Sequence, residues 1–330
     1  MFEPSRITMS AALGAFGLLG LIVNFIVIGP VLQLAWSFRK SSIYVISMVN
    51  IANDILILVL VLGYLSPTIL LDDPIFDGGK GGAVPVFLGT VFMFTWYLGS
   101  LTQIIMALNR LLVICIWRQY VFSTKKMVLI FCFVCPLALF LACMAQYMLP
   151  CCPLIFDSDY AFSYFVTDGQ FNYPNAFIDL PLNSLTSITA AVCYTFIIVS
   201  VRKSTQGVMA SMSNVGRRSR RMKEYSHALQ FCTISCFYSF SWISFRIFPI
   251  FVHNPAFYIL IPIAVCLNSS ANAIVYLISN VEVRSRLAKM SFCSAPLMNK
   301  LYGHWSTTQQ APVSHSSQQL PPSTINISKF

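Results

Sequence analysis

Charge is what this chain has least of. Only 10% of its 330 residues are Asp, Glu, Lys or Arg, while 57% are hydrophobic; a soluble domain carries roughly a quarter charged residues. There is too little polar surface here to wrap a water-soluble globule. Histidine is scarce too, with four in all, and nothing resembles the His clusters or paired acids that an intramembrane enzyme needs. No catalytic group, metal site or cofactor is therefore expected. Internal repeats, the mark of many secondary transporters, are also missing. Ahead of the first apolar run stands only one basic residue, Arg6, with no small-residue cleavage site after it, so the first helix reads as its own insertion signal.

What is present is a series of long apolar stretches. A hydrocarbon slab about 30 Å thick needs about 20 apolar helical residues to cross it. Stretches at 9–36, 43–67, 84–116, 127–149, 181–202, 227–252 and 256–279 meet that need and predict seven transmembrane helices in one domain. The third has the weakest start, because Gly78, Gly79, Gly81 and Gly82 precede it; Pro85 suits its first turn. The last holds no lysine between 255 and 280, which excludes the Schiff base of a retinal protein.

The net charge of +10 points to orientation rather than to nucleic acid, because cytoplasmic loops accumulate Lys and Arg. With seven crossings, 18 of the 21 basic residues share one side, among them Lys125, Lys126, Arg284 and the run Arg217, Arg218, Arg220, Arg221 and Lys223. The other side holds Arg6, Lys80 and Arg246 against a majority of the acids. The N-terminus is thus expected outside and the tail in the cytoplasm. The expected organisation is an extracellular N-terminus at 1–8, a transmembrane domain at 9–279, a short cytoplasmic amphipathic helix at 280–293 and a disordered tail at 294–330. The 150–180 loop, rich in aromatics and Asp, could lid a cavity from above, with Pro150, Pro153 and Pro174 as breakers. An N-terminus of about eight residues argues against a large ligand-binding ectodomain.

Polar side chains inside a membrane helix are costly, so each needs a partner or a purpose. Asn24, Asn50, Asn53, Asp54, Asn109, Arg110, Arg246, Asn268 and Asn272 are the ones to explain. Asn24, Asp54 and Asn272 fall at similar depth on the first, second and seventh helices, which suggests a polar cluster joining them. Arg110 closes the third helix, either as a functional cation or as an ordinary interface residue. Arg246 lies near the outer end of the sixth helix. It either snorkels to headgroups or faces a cavity with Asp179 and Trp96, where it pairs with Asp179 or an anionic ligand.

Seven helices, an external N-terminus, Asn109-Arg110 at the inner end of the third helix, Trp242 in the sixth and Asn272-Ala273-Ile274-Val275-Tyr276 in the seventh resemble a G-protein-coupled receptor. The last run is similar to an Asn-Pro-x-x-Tyr motif with Ala273 for proline. Asn-Arg in place of Asp-Arg, Tyr120-Val121-Phe122-Ser123, Ser42-Ile43-Tyr44 and the Gly20-x-x-x-Asn24 pattern are similar to the nematode serpentine chemoreceptors, class X before class T or another sibling. The resemblance covers about 10–290. It implies a rhodopsin-like all-α bundle and a chemosensory receptor that binds a small odorant or pheromone-like molecule and activates a heterotrimeric G protein. The alternatives are a receptor for a small peptide or amine transmitter, and a secondary transporter. It further implies activation roles for Asn109, Arg110, Trp242, Asn272 and Tyr276, and a polar core of Asn24 with Asn53 or Asp54. Cys293 is a candidate lipidation site.

The chain departs from that pattern in three ways. No cysteine lies between 80 and 95, so Cys151 and Cys152 lack the usual partner; adjacent cysteines rarely bond to each other, and each is expected unpaired or paired elsewhere. The sixth helix lacks its usual proline, with Pro249 too far outward to replace it. Asp54 stands one residue off the usual spacing, leaving Asn53 as the rival for the conserved position.

Overall fold

The computed structural model describes residues 4–36, 42–73, 75–76, 78–79, 81–115, 123–164, 170–208, 215–251 and 255–290; the side chains of 201–227, 248–250 and 255–256 are not described. The compact unit spans Met1–Ala288. Its elements are α1 (Pro4–Trp36), α2 (Ile43–Leu71), α3 (Ala83–Cys115) and α4 (Thr124–Met148), then β1 (Leu154–Asp157) and β2 (Ala161–Tyr164). They continue with α5 (174–208), α6 (Val215–Phe251), α7 (Leu260–Ser279, entered through the 3-10 turn Pro255–Ile259) and α8 (Val281–Met290).

The seven long helices form a bundle, and α8 is the expected short helix after the last of them. Six are apolar and long enough to cross a membrane among the described residues. The seventh, α6, is a 37-residue helix whose first turns carry the basic run. The bundle is oily on both faces of its wall. Leu19, Phe25, Phe133, Ile188 and Phe240 are exposed, which suits helices solvated by lipid. Inside, one apolar cluster surrounds Tyr97 and Phe156 near the end rich in acids, and another surrounds Tyr276 and Phe231 near the end rich in Lys and Arg.

Several boundaries differ from the sequence reading. Residues 4–8 are already helical. The fifth helix begins at 174 rather than 181, because Pro174 occupies a first helical turn, where its missing N–H costs nothing, instead of breaking the chain. The sixth starts at Val215 rather than 227 and runs without interruption past Trp242. Three π turns interrupt the helices, at Val61–Leu65 in α2, Met144–Met148 in α4 and Pro174–Asp179 in α5. All three lie in the acid-rich half.

The 150–180 loop contains a two-stranded antiparallel hairpin, pairing Leu154 with Tyr164 and Asp157 with Ala161. Asp157 shapes its turn by accepting from the Asp159 and Tyr160 amides. The hairpin is a plug. Phe162 stacks on Phe92 of α3 at 4.4 Å between ring centres, and Phe156 meets Tyr64 of α2 edge-on at 5.3 Å. Gln146 at the end of α4 holds the first strand at both backbone groups, accepting from the Leu154 amide at 2.7 Å and donating to the Leu154 carbonyl at 3.0 Å. Gly89 permits this approach: a Cβ there would lie 2.1 Å from the Leu154 carbonyl oxygen. Arg6 ties α1 to the turn through Asp159 and to the end of α2 through Asp72, both at 2.8 Å.

Cys151 and Cys152 are bonded to each other, contrary to the sequence expectation. Both adopt positive φ, 141° and 72°. Non-glycine residues rarely adopt such values, so the chain reversal between α4 and β1 is locally unusual.

Candidate functional site

Polar residues fall into three groups along the bundle axis. The first lies at mid-depth. The Asn24 amide donates to the Ser269 carbonyl of α7 at 3.0 Å, joining α1 to α7 at the level where Gly20 brings the two helices together. The Asn272 amide donates to the Asp54 carboxylate at 2.5 Å, and Asn50 reaches the Asn272 side-chain oxygen at 3.5 Å. Asn53 faces the other way and donates to the Thr95 carbonyl of α3 at 3.0 Å. The predicted cluster is therefore split: Asp54 takes the α7 partner, Asn53 takes α3, and Asn24 contacts backbone rather than either of the other two side chains.

The second group surrounds the end of α3. Arg110 is 1% exposed and so does not snorkel to the interface. Its guanidinium donates to the Asn109 side-chain oxygen at 3.1 Å and lies over the Phe231 ring of α6 at 5.6 Å. Asn109 in turn reaches Ser42 at 3.5 Å. The phenols of Tyr194 on α5 and Tyr276 on α7 lie within electrostatic reach of the same cation. Tyr276 also shares a hydrogen bond with Ser47 of α2 and packs edge-on against Phe231. A cation thus lies buried where α3, α5, α6 and α7 converge. The α8 helix is tied nearby: Asn280 caps it through the Glu282 and Val283 amides, and Glu282 accepts from Tyr44 of α2 at 2.9 Å.

The third group lies beneath the hairpin. Arg246 of α6 is paired with Asp179 of α5 at 2.5 Å and also donates to Asn175. Trp96 of α3 is a further hydrogen-bond donor to Asp179, and its ring stacks on Tyr238 of α6. Of the partners left open for Arg246, the structure gives it Asp179. Trp96, Asp179 and Arg246, named together from sequence, meet at one place. From Asp179 the chain of contacts continues inward to Asn183, whose side-chain oxygen accepts from Ser100 at 2.8 Å and from Tyr238. Deeper still, Ser235 of α6 donates to Gln103 of α3 at 2.8 Å. The Tyr164 phenol at the hairpin's end is held well above its ordinary pKa, first by burial and then by the Asp179 carboxylate, so it stays an O–H. Trp242 is half-buried on the same face of α6, four residues from both Tyr238 and Arg246.

Sequence reasoning missed Tyr97, Asn183, Tyr238 and Gln146. The helical spacing of Asn175, Asp179 and Asn183, and of Tyr238, Trp242 and Arg246, was available as a signal. Gln146 left no such trace, because its partner is backbone. The backbone of the basic run is helical from Val215, but the side chains of that run and of His227 are not described. Cys293, Tyr120-Val121-Phe122 and the tail lie outside the described residues. No cluster of three His, Cys, Asp or Glu with metal-binding geometry occurs among the described residues.

The crystal structure of squid rhodopsin superposes with a TM-score of 0.70, covering 95% of this chain and 94% of that one at 15% identity. At that identity the likeness concerns the fold. No curated protein sequence matches the chain. A family profile described as serpentine type 7TM GPCR chemoreceptor Srx matches residues 15–280. Four-fifths of the chain fall within that match, and the chain belongs to the Srx family of seven-transmembrane G-protein-coupled chemoreceptors, multi-pass membrane proteins and not enzymes.

Proposed function

We propose that this receptor binds a small extracellular molecule beneath the hairpin and passes the signal to a heterotrimeric G protein at the opposite end, with the N-terminus outside the cell and the tail in the cytoplasm. The observation that carries the reading is the burial of Arg110 among residues of α3, α5, α6 and α7. The Arg110 guanidinium meets the Asn109 side-chain oxygen and the face of Phe231, so its position is tied to that of α6. A modest shift of α6 carrying Phe231 would release it toward the cytoplasm. The ligand would drive that shift by binding the opened state more tightly than the closed one. Its lever is the stripe Tyr238, Trp242 and Arg246, which sits on the same helix as Phe231.

Orientation follows from the asymmetry of Lys and Arg. Asn24, Asp54, Asn272 and Tyr276 act in this reading as the hydrogen-bonded hinge region between the two ends. The test is a G-protein activation assay in membranes expressing the wild type and Arg110→Ala at matched surface levels, first without ligand and then with a panel of small compounds. A signal that requires Arg110 supports the reading; a signal that survives its loss removes the coupling role.

A further inference from the structure

The hydrogen-bonding inventory beneath the hairpin is lopsided. Each of its acceptors already holds at least one donor. One Asp179 oxygen accepts from Asn183 and the other from Arg246, the Asn183 oxygen accepts from Ser100 and Tyr238, and the Asn175 oxygen accepts from Arg246. Three buried groups without a hydrogen-bond partner among the described residues can all donate: the Tyr97 hydroxyl, Arg246 Nε and Trp242 Nε1. Tyr97 is fully buried and lies within electrostatic reach of both Asp179 and Arg246. Arg246 and Trp242 stand four residues apart on one face of α6. Buried donors without acceptors are costly, and native interiors rarely leave three together.

We propose that the ligand supplies the missing acceptors, and that its class is a small molecule with an apolar body and a carboxylate or ester-type carbonyl headgroup, held by Tyr97 and Arg246 with Trp242 alongside. An amine is disfavoured on the same grounds. It brings only donors to a site whose Asp179 oxygens are both engaged, and it would face the Arg246 cation. The apolar body meets the aromatic walls: Phe92, Trp96 and Tyr238 stack in succession along α3 and α6. This inference rests on the proposed ligand site and adds its chemistry.

The test uses full-length purified receptor and the shift of its unfolding temperature, read from tryptophan fluorescence, with hexanoate, methyl hexanoate and hexylamine and their shorter and longer homologues. The acid or the ester raises the unfolding temperature and the amine does not; which of the two acts distinguishes a charged from a neutral headgroup. Tyr97→Phe removes only an unpartnered hydroxyl, so its unliganded unfolding temperature does not fall below the wild type's, while apparent affinity for the active probe falls about tenfold, the scale of one hydrogen bond. Stabilisation by the amine alone, no shift with any acid or ester, or full affinity in Tyr97→Phe overturns the proposal. The readout is independent of G-protein coupling: a probe that stabilises the protein without an Arg110-dependent signal upholds the ligand chemistry and removes the coupling role instead.

Discussion

Asn272 on α7 donates its side-chain amide to the carboxylate of Asp54 on α2 across 2.5 Å, at a depth where neither group meets water. This bond joins α2 to α7 beside two weaker or more inward polar contacts, Asn50 with Asn272 and Ser47 with Tyr276. Removing one partner leaves the other buried and unsatisfied, a loss of about 1–3 kcal/mol. Asp54→Ala is therefore expected to lower the unfolding temperature of the purified receptor clearly, and Asp54→Asn, which keeps an acceptor oxygen in place, much less. Equal losses in both variants would show that the charge and not the hydrogen bond matters at this position.

The hairpin depends on a glycine. Gly89→Ala puts a methyl 2.1 Å from the Leu154 carbonyl oxygen and 2.7 Å from the Gln146 amide nitrogen. Backbone cannot yield as a side-chain tip can, and overpacking of this kind costs about 1–3 kcal/mol. Gly63→Ala, in the π turn of α2, meets nothing within 4 Å and serves as the control. The first is expected to destabilise the receptor in a thermal melt and the second to be neutral.

Asn109→Asp converts the Arg110 contact at 3.1 Å into a charge-assisted one, which is about twice as strong. Agonist-independent signalling is expected to fall in the mutant at matched surface expression. An unchanged basal signal would mean that Asn109 does not restrain Arg110.

Cys151 and Cys152 should resist alkylation together. Under denaturing, non-reducing conditions the peptide containing both is expected to take up no label, and to take up two after reduction. Labelling of either before reduction would show that the pair is not bonded in the isolated protein.

Much of this fold was written in the hydropathy. Seven apolar runs mark the seven helices, to within about five residues except at both ends of the fifth and the inner start of the sixth, because lipid imposes a length and a polarity on every span. The errors lie where local context overrides the general rule. Pro174 was read as a breaker, yet it starts a helix. Leu154-Ile155-Phe156-Asp157 carries no alternation, because all four residues are buried in the plug, and a strand buried on both faces loses its period-two signature. The choice between Asn53 and Asp54 could not come from spacing alone, since adjacent helical residues differ by about 100° in direction; the structure assigns one to α3 and the other to α7. Arg246 and Asp179 found each other on paper because a lone cation and an acid at similar depth have few other partners.

The three π turns also change how positions should be counted along this chain. Each π turn sets one extra residue into a helix and so advances every side chain beyond it by about 100° around the axis. Asn175 lies inside the turn that ends at Asp179, and the direction that brings it to Arg246 includes that added residue. A relative without it would need a one-residue gap inside its fifth helix to bring equivalent faces back into phase, and numbering outward from the inner motifs would otherwise assign the ligand-facing role to a neighbour that looks at lipid. In α2 and α5, then, the outer ends keep their own register, and a deletion of a single residue there would turn Ser66 away from Ser10 or Asn175 away from Arg246 while leaving the basic half untouched.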